Sequence, residues 1–183
     1  MKPPSAQGRP DDFQTPARAL YPLLPFLRKD WLVWEPACGK GNLVKALGEN
    51  SITAIGTDIL GGQDFLTWTP REAPFGVEFD CIITNPPFSL KDEFLSRAYS
   101  LGKPFAFLLP LTTFEGRVRQ ALFRKHGVEV IFFDKRINFE TPSGKNGGSW
   151  FMTAWFTHGL GLGRDLNFVD YIEKTNRKLT EMI

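Results

Sequence analysis

Trp31-Leu32-Val33-Trp34-Glu35-Pro36-Ala37-Cys38-Gly39-Lys40-Gly41-Asn42 is an apolar run that enters a glycine-bearing turn and leaves it toward an amphipathic stretch. Residues 31–35 have the length and composition of a buried strand. Over 42–48, Leu43, Val44 and Leu47 fall on one side of a helix. Glycine lets the backbone turn tightly and approach a ligand closely. A helix that begins at such a turn presents amides to a carboxylate or phosphate. In open α/β sheets, ligands bind at this edge, beyond the carboxyl ends of the strands. The dinucleotide pattern Gly-x-Gly-x-x-Gly is incomplete, because Val44 stands where the third glycine belongs. No Gly-Lys-Ser/Thr phosphate loop is present either.

Outward from this turn, strand-like and helical stretches alternate. Further strands are expected over 52–58, 64–68, 80–84, 104–109, 128–134 and 149–157. Helices are expected over 90–101 and 114–126, with Gly127 as a stop. This alternation predicts a mostly parallel sheet with helices on both faces. The last two strands are joined by about 14 residues without a helical pattern, including Gly144, Gly147 and Gly148. Such a link suits a hairpin, so the last strand is expected to run antiparallel. The expected organisation is a flexible tail over 1–11, one catalytic domain over 12–158, and a C-terminal extension over 159–183. That extension is read as helical over 167–180, through Phe168, Val169, Tyr171 and Ile172.

The net charge of +2 permits a polyanionic partner without demanding one. Cys38 and Cys81 lie among apolar residues and are read as reduced core thiols, which suits a cytoplasmic protein. His126 and His158 have no metal-ligand spacing to them, so no metal is expected. No apolar run reaches the ~18 residues of a membrane span, and the N-terminus has no signal-peptide segment.

Two acidic positions follow the glycine turn. Asp58 ends the second strand, 19 residues after Gly39. A carboxylate there can accept both hydroxyls of an adenosine ribose. In Asp64-Phe65, an Asp can accept from an adenine amino group while a Phe lies on the ring. The order of the three features points to an adenosine-containing cofactor.

Asn85-Pro86-Pro87-Phe88 follows the buried strand over 80–84 directly. Two prolines fix φ at consecutive positions and remove two backbone donors. The residues before them are pushed out of the helical region. The turn is rigid and rich in outward carbonyls. An exocyclic amine is a poor nucleophile, because its lone pair is delocalised into the ring. Acceptors on its two hydrogens, the Asn85 side-chain oxygen and the Pro86 carbonyl, favour a pyramidal nitrogen with its lone pair recovered. Such groups act most strongly where charge develops in the transition state. Phe88 can stack on the base.

With these residues the chain resembles the class I S-adenosylmethionine-dependent methyltransferases that carry an Asn-Pro-Pro-aromatic motif, in particular small phage-type and bacterial DNA adenine-N6 methyltransferases. The resemblance spans about residues 12–158. It rests on Asp12-Phe13-Gln14-Thr15-Pro16, the segment 35–41, Asp58, Asp64-Phe65, Asn85-Pro86-Pro87-Phe88, and the late segment from Arg136-Ile137-Asn138-Phe139 to Gly144-Lys145. It implies a Rossmann-like sheet of seven strands, mostly parallel, with the last strand antiparallel. It implies S-adenosyl-L-methionine as cofactor, held by Phe13, Thr15, Pro16, Glu35, Pro36, Ala37, Gly39, Gly41, Asp58, Ile59, Asp64, Phe65 and Asn85. Catalysis would fall to Asn85, Pro86, Pro87 and Phe88. Thr15-Pro16 also reads as a helix N-cap and first helical residue.

A base in a duplex must be extruded before this chemistry reaches it. Phe88, Arg136, Asn138, Lys145 and Trp150 are the expected substrate-side residues. Arg117, Arg119, Arg124, Lys125, Lys135 and Arg136 are candidates to track phosphates, with a solvated helix face as the plain alternative. The expected partner is nucleic acid, DNA ahead of RNA. No separate target-recognition domain fits after the last strand, so promiscuity, single-strand action, a homodimer or a partner recognition subunit is expected. The competing readings are an RNA enzyme acting on adenine N6 or guanine N2, a protein glutamine methyltransferase, and a non-catalytic cofactor-binding subunit. Glutamine enzymes more usually carry Tyr where this chain has Phe88. Restriction avoidance in a phage or mobile element is the biological setting the resemblance suggests.

Overall fold

The computed structural model describes residues 14–139 and 151–171. The expected tail over 1–11, Phe13, Lys145, Trp150 and the terminal segment from 172 on lie outside the described residues.

Seven strands form one sheet: β1 Leu32–Glu35, β2 Thr53–Gly56, β3 Cys81–Thr84, β4 Phe105–Pro110, β5 Glu129–Phe133, β6 Thr153–His158 and β7 Leu166–Val169. Their spatial order is β2-β1-β3-β4-β6-β5-β7. β1 pairs parallel with β2 and β3, β3 with β4, and β5 with β7. β6 is inserted antiparallel between β4 and β5. The sheet is thus mostly parallel with an antiparallel strand near its end, a Rossmann-like arrangement.

Three helices cover it: α1 Asn42–Glu49, α2 Lys91–Leu101 and α3 Arg117–His126. The central strands alternate between two cores. Cys81, Ile83, Ala106 and Leu108 face one side, with Leu43, Ala46 and Leu47 of α1. A 3-10 segment over Ala17–Phe26 adds Ala19, Leu20 and Leu23 to that side. Ile82, Phe105, Phe107 and Leu109 face the other, with Phe94, Leu95 and Ala98 of α2 and the flank of α3. Burial on both faces explains the near-continuous apolar strands. Arg119 of α3 is ion-paired with Asp92 in the first turn of α2, fastening the two helices to each other.

Two expected elements differ. Residues 64–68 form a turn, not a strand. Asp64 Oδ1 accepts the Leu66 amide at 2.9 Å, and the Asp64 carbonyl takes the Thr67 and Trp68 amides. A local Asx turn outcompetes extension here. At the start of the helix expected over 167–180 the chain forms β7, and the rest of that stretch lies outside the described residues. Leu166 and Phe168 turn outward while Asn167 and Val169 are half-buried, a period of two. The Val130 amide bonds to the Asp165 carbonyl and the Asp134 amide to that of Val169, fixing this strand to β5. The antiparallel strand is consequently sixth in the chain rather than last. Among the described residues no helix is long and apolar enough to cross a membrane.

Candidate active site

The carboxyl ends of β1, β2 and β3 form one edge, with Glu35 at the end of β1, Asp58 two residues beyond β2 and Asn85 directly after β3. Beyond β1 and β2 the chains stay paired: the Thr57 amide bonds to the Glu35 carbonyl at 2.8 Å and the Cys38 amide to the Thr57 carbonyl at 3.0 Å. The turn between β1 and α1 needs left-handed backbone at Gly39 (φ 49°) and Gly41 (φ 78°), which glycine adopts without steric cost. Asp58 holds the turn down. Its Oδ2 accepts the Gly39 amide and its Oδ1 the Leu60 amide, each at 3.0 Å. Gln14 lies over the same turn, its Oε1 accepting the Lys40 amide at 3.1 Å.

Glu35 is 3% exposed, and its Oε2 is buried with no hydrogen-bond partner. Burial pushes its pKa up to about 8. A hydrogen bond from the Val44 amide pulls it down, and the nearby Asp58 charge pushes it up. Burial, with the charges of Glu35 and Asp58, pushes the Cys38 thiol up to about 11, so it is a protonated wall residue rather than a nucleophile.

Asn85 follows β3 and is half-buried, with its side-chain oxygen shielded from solvent. Pro86 is buried behind it. The Pro87 carbonyl accepts the Leu90 amide at 3.0 Å, closing the short turn Phe88–Leu90 that leads into α2. Phe88 meets Phe151 edge-on at 5.5 Å between ring centroids, and Phe151 stacks on Phe139 at 6.1 Å.

One small cleft brings the glycine turn and Asn85 together. Thr15, Glu35, Ala37, Gly39 and Asn85 line it together with Gln14, Cys38, Asn42 and Leu43. None of the described lining residues is basic. Four buried side-chain oxygens without a protein partner lie at this edge: Glu35 Oε2 at the end of β1, Thr84 Oγ1 at the end of β3, Thr113 Oγ1 beyond β4, and Thr153 Oγ1 opposite Pro110.

The remaining expected residues fall as follows. Pro36 is buried beneath the turn, and Gly41 is the N-cap of α1. Pro16, not Thr15, is the N-cap of the 3-10 segment, and Thr15 is buried in the cleft wall. Ile59 is 63% exposed beside Asp58. Asp64 is half-buried. Phe65 departs from expectation. It is 2% exposed and its ring stacks on Phe94 at 4.6 Å, against Trp34 and Phe107 as well. Its ring therefore belongs to the core, because the Asx turn at Asp64 swings it under the sheet. Arg136 and Asn138 are exposed after β5, on either side of the buried anchor Ile137.

The basic residues of α3 do not form one patch. Arg117 begins the helix at the site's edge of the sheet. Arg119 is committed to Asp92 and the Thr113 carbonyl. Arg124 and Lys125 occupy the last turn, at the opposite edge, where they complement the helix dipole. Lys135 and Arg136 follow β5 on the site's side.

Gln14, Cys38, Asn42, Leu43 and Phe151 border the site without having been singled out as site residues. Gln14 and Cys38 belong to the segments 12–16 and 35–41, so their neighbours are the signal for them. Nothing in the local pattern around Phe151 separates it from a core aromatic.

No protein-family model matches the chain, and no curated protein matches it. Among solved structures, a type I restriction-modification methyltransferase subunit from Streptococcus thermophilus superposes with a TM-score of 0.59 at 18% identity, over 89% of this chain and 48% of that one. A modification subunit ascribed to a type I restriction enzyme of Vibrio vulnificus YJ016 superposes with a TM-score of 0.53 at 14% identity, over 94% of this chain and 49% of that one. The chain thus spans about half the length of each. At these identities the likeness is one of fold: the chain shares a Rossmann-like fold with these two subunits.

Proposed function

We propose that the protein transfers a methyl group from S-adenosyl-L-methionine to the exocyclic N6 amino nitrogen of adenine in DNA. The observation that carries this reading is the single cleft shared by Glu35 and Gly39 on one wall and Asn85 on the other. Cofactor turn and amine-binding turn are 46 residues apart in sequence (85 minus 39) and meet there.

The residues present fit the donor. Thr15, Glu35, Ala37, Gly39 and the head of α1 suit its amino-acid end, the orphaned Glu35 oxygen meeting an ammonium. Asp58 suits the ribose hydroxyls. The exposed Ile59 supplies an apolar surface for the adenine ring, and Asp64 an acceptor for its amino group. When bound, this cofactor supplies an electrophilic methyl group on a sulfonium.

The chain's own work is to present the amine. Asn85 and the Pro86 carbonyl accept its two hydrogens, holding the nitrogen pyramidal with its lone pair free. The two prolines keep these acceptors from relaxing. Preorganised acceptors of this kind need no rearrangement as charge develops, and alignment with the methyl group supplies the rest. Phe88, backed by Phe151, stacks on the extruded base. Arg136 and Asn138 border the base on its far side. Lys135, Arg136 and Arg117 meet backbone phosphates.

DNA is favoured because two solved structures of similar fold are subunits of restriction-modification systems. Target reading is assigned to a partner subunit or a second copy. Transfer of labelled methyl from S-adenosylmethionine to DNA, lost in Asn85→Ala, tests the reading. Transfer to RNA alone would keep the chemistry and change the polymer. Transfer to protein alone would overturn the nucleic-acid reading.

A further inference from the structure

β7 ends the sheet, and no described strand pairs with its outer side. Edge strands are ordinarily blunted by charge, proline or a bulge, because their free amides and carbonyls invite another strand. β2, at the opposite edge, carries no large exposed apolar side chain. β7 carries Leu166 at 52% and Phe168 at 78% exposure, next to each other on one face. The Phe168 ring is stacked on Phe132 of β5 at 5.2 Å.

The ladder to β5 determines which backbone groups are free. The Val130 amide bonds to the Asp165 carbonyl and the Asp134 amide to that of Val169, in a register that sets Val130 beside Leu166 and Phe132 beside Phe168. In such a parallel ladder alternate residues bond inward, so Leu166 and Phe168 turn their N–H and C=O groups to the open edge. An antiparallel strand that takes up these groups must set one outward-bonding residue opposite another. For a second copy of β7 this leaves a short choice. Centring on Leu166 sets Phe168 opposite Arg164, and centring on Phe168 sets Leu166 opposite Asp170. Centring on Asn167 sets Leu166 opposite Phe168 and Arg164 opposite Asp170, in both directions. Only this last register matches apolar with apolar and cation with anion, and cross-strand pairs of both kinds stabilise a sheet. Arg164 and Asp170 are exposed, and neither has an ion-pair partner among the described residues.

We infer that β7 joins a second copy of this chain, antiparallel and centred on Asn167, making one continuous sheet across a twofold axis. A closed twofold contact needs a patch that complements itself, and residues 164–170 do so in charge, in apolar surface and in backbone groups. The Asn167 side chain donates to the Arg164 carbonyl at 2.8 Å, so beyond Leu166 the two copies meet through side chains. Antiparallel pairing puts the two clefts on opposite edges of the joined sheet. The pairing does not depend on the reading of the cleft.

Sedimentation velocity of the full chain over a range of protein concentrations tests it. A monomer–dimer equilibrium is expected, and Phe168→Lys should abolish the dimer. Arg164→Asp or Asp170→Arg alone should raise the dimer Kd roughly tenfold, because two exposed pairs are lost in each dimer. The two reversals together should restore it. Asn167→Cys should give a disulfide-linked dimer on mild oxidation, since this residue meets its own copy at the axis, and Leu166→Cys should not. A monomer at every concentration overturns the proposal and leaves the edge to the chain's own residues 172–183 or to another protein. A dimer indifferent to Phe168→Lys, or one in which the charge reversals do not compensate, also overturns it. Crosslinking through Leu166→Cys in place of Asn167→Cys overturns the register. Recovery in the double reversal distinguishes lost pairing from lost folding, and failure of methyl transfer changes none of these outcomes.

Discussion

The carboxylate of Asp58 accepts the Gly39 amide at 3.0 Å, joining the end of β2 to the glycine turn that follows β1. Its other oxygen takes the Leu60 amide. Asp58 thus holds the turn that lines the cleft, in addition to the ribose-binding role proposed for it. Asp58→Ala is expected to weaken cofactor binding and to destabilise the fold by about 1–3 kcal/mol. Asp58→Asn keeps one acceptor and is expected to cost less stability, yet still to raise the cofactor Kd roughly tenfold or more. Calorimetric binding beside thermal unfolding separates the two effects. An unchanged Kd in both variants would remove Asp58 from the site.

Asn85→Ala is expected to lower methyl transfer by about 100-fold or more, the scale of removing one preorganised polar group from a transition state. Cofactor Kd should change little by comparison. Single-turnover transfer and equilibrium binding on the same preparation check this. Turnover near the wild-type level would rule out the acceptor mechanism.

Phe151 stands edge-on against Phe88, and the proposed function has the two rings act together on a base. Phe88→Ala is expected to weaken nucleic-acid binding by about 1–3 kcal/mol, the range for one base stacked on an aromatic ring. Phe151→Ala should move in the same direction by less. Fluorescence anisotropy with a labelled oligonucleotide reads both, and the cofactor Kd serves as control. Loss of cofactor affinity instead would place Phe88 in the other half of the cleft.

Val44 packs where the third glycine of a dinucleotide turn would be, and the space is provided from the opposite side by Gly56. A Cβ on Gly56 would stand 2.8 Å from Val44 Cγ2 and 3.1 Å from the Cys38 Cβ. Gly56→Ala is expected to cost about 1–3 kcal/mol through overpacking. Adding Val44→Ala should recover part of that. Denaturant unfolding of the single and double variants measures it. Additive losses would mean that the two positions do not share this space.

Glu35 also predicts a pH dependence of stability. Its folded pKa is raised from 4.5 to about 8, so the folded state binds the extra proton between those values. The contribution is fully present below pH 4.5 and is lost as pH rises through about 8. In the protein without ligand, Glu35→Gln should flatten this slope and gain on the order of a few kcal/mol relative to wild type at pH 9. Parallel slopes for the two proteins between pH 5 and 8 would contradict it.

Much of this architecture was legible because it depends on local signals. The glycine turn, Asp58 and the double proline each sit at the end of an apolar strand, and the strand order brings those ends together. The hairpin of β5 and β6 followed from loop composition. What was not legible depended on competition between local and distant contacts. Asp64-Phe65 reads equally as a ligand-facing pair or a turn, and the bond from the Leu66 amide decides it by turning Phe65 into the core. Leu166-Asn167-Phe168-Val169 is too short to separate a period of two from one of 3.6, and pairing with β5 settles it. The basic residues of α3 looked contiguous in sequence, but the helix runs away from the site and carries Arg124 and Lys125 with it.

The most direct measurement supplies methyl-labelled S-adenosylmethionine to the protein with single-stranded DNA, duplex DNA and total RNA in parallel, digests each polymer to nucleosides and identifies the labelled species. The account predicts label in N6-methyldeoxyadenosine. Label confined to a ribonucleoside, or to a ring carbon or other non-amino position, would contradict it.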